Sequence, residues 1–112
     1  MDLGTVVNPD GVRSQIEGSA LWGMSLALFE KATLKDGGIE QTNFDSYTPL
    51  RMSQMPEIAV SVIANGEKAT GVGEPAVTVV APAIGNAVFN AVGARVRSLP
   101  ITAEAVKAAM KA

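Results

Sequence analysis

The stretch Gly71-Val72-Gly73-Glu74-Pro75-Ala76-Val77-Thr78-Val79-Val80-Ala81-Pro82-Ala83-Ile84-Gly85-Asn86-Ala87-Val88-Phe89-Asn90-Ala91-Val92 opens on one carboxylate and then carries no formal charge as far as Ala94. Its uncharged part has about the length that crosses a bilayer, roughly 20 residues. Thr78, Pro82, Gly85, Asn86, Asn90 and Gly93 are polar or weaken a helix, and in lipid they are costly unless packed against protein. The stretch therefore reads as a buried helix rather than a membrane span. Ile84, Val88, Phe89 and Val92 fall on its apolar stripe, and Pro82 starts or kinks its main portion.

Upstream of that helix, Glu57 to Ala64 alternates and is rich in Val and Ile, which predicts a strand before the Asn65-Gly66 turn. Asn43 to Pro56 reads as irregular, interrupted by Pro49 and Pro56. Ala32–Leu34 and Ile39–Thr42 flank Lys35-Asp36-Gly37-Gly38 and predict a hairpin. A first helix follows the Asn8-Pro9-Asp10-Gly11 turn and ends near Lys31, with Ile16, Ala20, Met24, Ala27 and Leu28 at helical spacing. Gly18, Ser19, Ala20 and Gly23 offer it a small-residue face that admits another backbone. Residues 2–7 read as a short strand. Downstream, Ser98 to Ile101 is extended and Thr102-Ala103-Glu104 caps and opens a short terminal helix. The fold class is α+β: short strands and a hairpin with two main helices and a short C-terminal helix.

The 112 residues form one domain, residues 1–112. A hydrophobic share of 47% with only 4% aromatic residues points to a core of Ala, Val, Ile and Leu. Nine basic and eleven acidic residues, net charge −2, match a nucleic-acid backbone poorly, so no nucleic-acid partner is expected. With no Cys and no His, a disulfide framework, a Cys/His zinc site, an iron–sulfur ligand set and an imidazole base are all excluded from this chain. No metal ligands are expected in it. The N-terminus shows no signal-peptide pattern, and localisation stays open between bacterial cytoplasm and periplasm.

Glu74 sits between a flexible glycine pair and a helix-starting proline. One reading is structural, a carboxylate placed favourably at a helix N-terminus. The other is a general base on a sharp turn, with glycines permitting close approach of a cofactor.

Five ordered motifs bear on that choice: Asp2-Leu3-Gly4-Thr5-Val6-Val7-Asn8-Pro9, Gln15-Ile16-Glu17-Gly18, Leu50-Arg51-Met52, Gly71-Val72-Gly73-Glu74-Pro75 and Leu99-Pro100-Ile101. Together they resemble the C-terminal part of the large, molybdopterin-binding subunit of molybdenum hydroxylases, the xanthine dehydrogenase and aldehyde oxidase family. Trp22-Gly23 and the stretch from Asn43 to Met52 are most similar to the isoquinoline 1-oxidoreductase beta-subunit branch.

The resemblance implies a molybdenum-pterin cofactor and hydroxylation of an aldehyde or N-heterocycle with oxygen from water. It makes the glutamate matching Glu74 the base that deprotonates a molybdenum-bound hydroxyl. It places Gln15 near the pterin, and Gly71, Val72 and Gly73 as backbone neighbours of the cofactor. The bland alternatives are a surface Gln and a simple turn. Glu17 reads as structural, paired with Arg13 one helical turn earlier. Ser19 departs from the family's frequent double glycine, and Trp22 from its frequent Gln.

The resemblance also implies 2Fe–2S clusters on a partner chain, in agreement with the absence of Cys. The partners expected are the remainder of the large subunit and an iron–sulfur subunit. The matched motifs begin inside a domain, so the chain reads as part of a larger one, and in isolation it is expected to be inactive, to bind no cofactor and to associate with itself or expose an apolar face. The competing reading is a non-catalytic, self-standing α+β domain that packs against a partner protein.

Overall fold

Asn8 starts the first long helix. Its backbone is extended (φ −133°, ψ 99°), its side-chain oxygen accepts the Gly11 N–H at 3.0 Å, and Pro9 occupies the first turn, where no N–H is needed. In the computed structural model, which describes residues 1–111, helix α1 runs Pro9–Leu28. It stops short of Lys31 because the Phe29 and Glu30 N–H groups both return to the Ser25 carbonyl and close the last turn. Arg13 and Glu17 pair on its surface at 3.9 Å.

Strand β1 (Asp2–Gly4) is shorter than expected. Gly4 has φ +76°, and a Cβ placed there would lie 2.4 Å from the Lys68 carbonyl oxygen, so the strand ends on a residue that must be glycine. Beyond it, Thr5 donates both its N–H and its hydroxyl to the Glu67 carbonyl. The hairpin is present as β2 (Leu34–Lys35) against β3 (Gly38–Ile39), antiparallel. Its turn is tighter than predicted: Asp36 and Gly37 both take left-handed φ (50° and 81°), the two-residue turn whose twist suits a hairpin.

The predicted strand over Glu57–Ala64 contracts to β4 (Ile63–Ala64), which pairs parallel with β1. Residues 57–62 carry the alternating pattern but find no strand to pair with among the described residues. Between the hairpin and β4 the chain is irregular, as expected, apart from a single 3₁₀ turn at Met52–Gln54.

Helix α2 runs Pro75–Val92 and closes on Gly93, φ +72°, whose N–H bonds the Phe89 carbonyl. Pro82 lies within this helix instead of starting it. The larger correction concerns burial. Only Ala76 of α2 is buried; Ile84 and Val88 are half-buried, and Phe89 and Val92 are exposed. Among the described helices and strands it packs mainly on α1, and only the segment 95–101 adds to that, with Arg95 over the Phe89 ring and bonded to Asn86, so much of the surface turned from the seam is left uncovered. Helix α3 (Ala103–Ala109) is capped by the Thr102 hydroxyl, which accepts the Ala105 N–H at 3.2 Å, with Glu104 in the first turn as predicted.

The buried apolar residues are Leu3, Ile16, Ala27, Ala76, Ala94 and Ile101. They cluster about α1 and its seam with α2, a small core. The radius of gyration, 17.0 Å, well exceeds the roughly 13 Å of a compact chain of this length. The α+β class holds, in a form with much apolar surface left uncovered.

Candidate functional site

The site grows out of the seam between the two long helices. Gln15, Ser19, Gly23 and Ala27 follow one another at four-residue spacing along α1, which places them on one stripe. A Cβ built on Gly73 would lie 3.2 Å from Gln15 Oε1, and one built on Gly23 would lie 3.0 Å from Val80 Cβ and 3.1 Å from Val77 Cα. Between these contacts, Ser19 Oγ accepts the Val77 N–H at 2.9 Å. Farther along, the Ala27 carbonyl accepts the Ile101 N–H at 2.7 Å. Residue numbers rise together along both helices, so α1 and α2 run parallel and their N-terminal ends lie at the same end of the seam.

The seam expectation is met at Ser19 and Gly23 and not at Gly18, where a Cβ would meet nothing within 4 Å. Of the predicted apolar stripe of α1, Ile16 and Ala27 are buried while Ala20, Met24 and Leu28 are half-buried. The small residues take the closest positions because α2 presents its backbone there.

Glu74 occupies the N-cap position of α2 with helical backbone (φ −115°, ψ −24°), and its side chain makes no capping bond. Pro75 has no N–H to satisfy, and the Val77 N–H is held by both the Glu74 carbonyl (3.0 Å) and Ser19 Oγ (2.9 Å). A hydroxyl from another helix thus supplies a cap bond at the start of α2 that the Glu74 side chain does not make. The carboxylate is exposed, uncommitted to the helix start and one residue from the Gln15–Gly73 contact.

Beside this point lies a shallow cleft of about 320 Å³ between β1, the first turns of α1 and the segment 69–72. Gln15 and Val72 line it, with Thr5, Asn8, Gly11 and Thr70. Gly71 borders open space. The structure therefore brings Gln15, Val72, Gly73 and Glu74 to one corner, while the side-chain position at Gly71 faces open space. Among the described residues no three His, Cys, Asp or Glu side chains group as a metal site.

Ser19 is the residue that sequence reasoning valued only for its size. The available signal was its spacing, four residues after Gln15 and four before Gly23, yet nothing local reveals that its hydroxyl meets a backbone N–H 58 residues away.

Residues 1–56 match the model of the molybdopterin cofactor-binding domain. The chain belongs to that family. It is 50% identical over 101 residues to a membrane-bound aldehyde dehydrogenase (pyrroloquinoline-quinone) of Gluconacetobacter polyoxogenes, covering 90% of this chain and 13% of that protein. It is 39% identical over 101 residues to the isoquinoline 1-oxidoreductase beta subunit of Brevundimonas diminuta, with the same coverage of each. The fold matches quinoline 2-oxidoreductase from Pseudomonas putida 86 with a TM-score of 0.85 at 24% identity, over 98% of this chain and 15% of that one. This molybdopterin-family chain thus spans about one-eighth of the length of those curated relatives.

The residues at the corner suit a flat polar heterocycle. An amide such as that of Gln15 both donates and accepts, and the bare backbone at Gly73 leaves that amide room which a Cβ would fill.

Proposed function

We propose that the chain is the C-terminal part of the molybdopterin-binding domain of a molybdenum hydroxylase acting on an aldehyde or N-heterocycle, with Glu74 as its general base. The observation that supports the reading is that the Glu74 carboxylate makes no capping bond, the Val77 N–H being met by Ser19 Oγ and the Glu74 carbonyl, and so stands exposed beside Gln15 and Gly73.

In this reading the bound molybdenum-pterin group supplies the oxidising centre for hydroxylation with oxygen from water. Gln15 orients the pterin edge through its amide, and Gly71, Val72 and Gly73 let that edge approach the backbone. Glu74 receives a proton on its carboxylate and passes it to solvent at the exposed end of the seam. The reading assigns the 2Fe–2S clusters that carry electrons away to a partner iron–sulfur subunit, with which a cysteine-free stretch is compatible, and the remainder of the large subunit closes the pocket. The domain matched over residues 1–56 favours molybdopterin over the quinone in one relative's name.

Glu74→Gln in the full-length enzyme tests the assignment. Loss of a general base lowers turnover by about 10²–10⁴-fold, here with molybdenum occupancy retained. A carboxylate that only favours a helix start contributes about 0.3–1 kcal/mol of stability and nothing to rate. The measurement is turnover per bound molybdenum beside thermal stability, and normal turnover per metal excludes Glu74 as the base.

A further inference from the structure

We propose that Ser19 is a positioning residue for Glu74, the hydroxyl that fixes where along α1 the start of α2 stands. The inference rests on the reading of Glu74 as the base. Ser19 is 4% exposed, and its Oγ accepts the Val77 N–H at 2.9 Å. Val77 is three residues from Glu74, and the same N–H bonds the Glu74 carbonyl at 3.0 Å. One donor thus ties the backbone of the base to the opposite helix.

The other contacts along this part of the seam do a different job. Gly23 sets how closely the helices approach, through the backbone and Cβ atoms of Val77 and Val80. Contacts among small aliphatic groups resist approach but barely resist sliding, whereas a hydrogen bond is directional and weakens steeply once misaligned. Ser19 lies one helical turn from both Gln15 and Gly23, so its bond sets the register in which Gly73 meets Gln15 and Glu74 stands beside them.

Loss of the hydroxyl leaves the Val77 N–H bonded to the Glu74 carbonyl, so Ser19→Ala keeps the helix start while removing its tie to α1. The tests use the full-length enzyme with Ser19→Ala, Ser19→Thr, Glu74→Gln and the double variant. They compare kcat per bound molybdenum, KM, and amide hydrogen exchange of peptides covering residues 74–80 and 84–92. Ser19→Ala is expected to lower kcat about tenfold, since small misplacements of a reacting group are costly, with KM unchanged. Exchange should quicken over 74–80 and not over 84–92, and Ser19→Thr should recover both properties.

In the Glu74→Gln background, Ser19→Ala should add almost nothing, because the two residues act as one unit. Unchanged kcat or unchanged exchange in Ser19→Ala overturns the proposal, as does an equal loss in both backgrounds. Normal turnover of Glu74→Gln overturns the base assignment instead, and exchange over 74–80 then still reports whether Ser19 pins the helix. If Ser19→Ala fails to load molybdenum, Ser19→Cys carries the same comparison, since its thiol fills the site, being somewhat larger than the hydroxyl, and accepts only weakly.

Discussion

Helices α1 and α2 are of similar length and lie side by side, yet the more apolar of the two is the less buried. α1 buries Ile16, Ser19, Gly23, Ser25 and Ala27, whereas α2 buries Ala76 alone and exposes Val79, Phe89 and Val92. The number of sides on which a helix is met explains the difference. α1 touches α2 along one stripe, receives the Leu50 N–H on Ser25 Oγ at 2.8 Å, and receives the Ile101 N–H on the Ala27 carbonyl at 2.7 Å. α2 has α1 and, against its C-terminal half, only the short segment 95–101, with Arg95 over the Phe89 ring. Hydropathy records a helix's demand for cover, and the topology decides whether this chain supplies it.

The largest expected effect lies where that comparison is tightest. Gly23→Val forces a branched side chain against the Val77 backbone and Val80 Cβ, atoms already 3.0–3.1 Å from the first added carbon. Overpacking of this kind costs about 1–3 kcal/mol, and the upper end is expected because the backbone of α2 must move. Soluble yield and thermal midpoint measure it. A wild-type midpoint would show that the seam is looser than its geometry.

Ser25→Ala comes next. It removes the partner of the Leu50 N–H at a half-buried position, worth about 0.5–1.5 kcal/mol, and should loosen the segment around residues 49–55. Limited proteolysis within that segment, compared with wild type, reads the change. On the far side of the comparison, Val79 is 61% exposed, so Val79→Lys should shift the stability of the 112-residue chain by no more than about 0.5 kcal/mol. The same substitution should weaken self-association and hydrophobic-dye binding across a dilution series. A strongly destabilised Val79→Lys would mean that α2 already has a second partner in solution.

The smallest effect concerns the C-terminal end of α1, where the Tyr47 phenol donates to the Glu30 carboxylate. This hydrogen bond, with minor contributions from burial and the glutamate charge, raises the phenol above its ordinary value of 10.0. A raised folded-state value contributes stability below pH 10 that disappears as the pH climbs through the folded value. Tyr47→Phe should therefore melt below wild type near neutral pH, and the gap should close in alkali. A constant gap would place the contribution of Tyr47 in packing alone.

Much of the fold was legible in short-range chemistry. Asn8 with Pro9 marked the start of α1, Thr102 with Glu104 the start of α3, and Asp36-Gly37 the hairpin turn, because each signal acts between residues within one turn of one another. The candidate site was legible in part, since Gln15 and the Gly71–Pro75 segment stood out as motifs and the structure brings Gln15, Gly73 and Glu74 together. Alternation over residues 57–62 misled, because a pattern suited to a strand pairs only where another strand is present.

By itself, then, the sequence determined which segments coil, where they cap, which residues can carry acid–base chemistry and, through cysteine's absence, which cofactors this chain cannot ligate. The tertiary structure alone decided that β4 pairs parallel to β1, that α2 stands largely uncovered and that Ser19 accepts the Val77 N–H at the start of α2. Caps and turns are set by neighbours a few residues apart. The register of α2 on α1 depends on groups 58 residues apart, and only the folded chain brings those to hydrogen-bond distance.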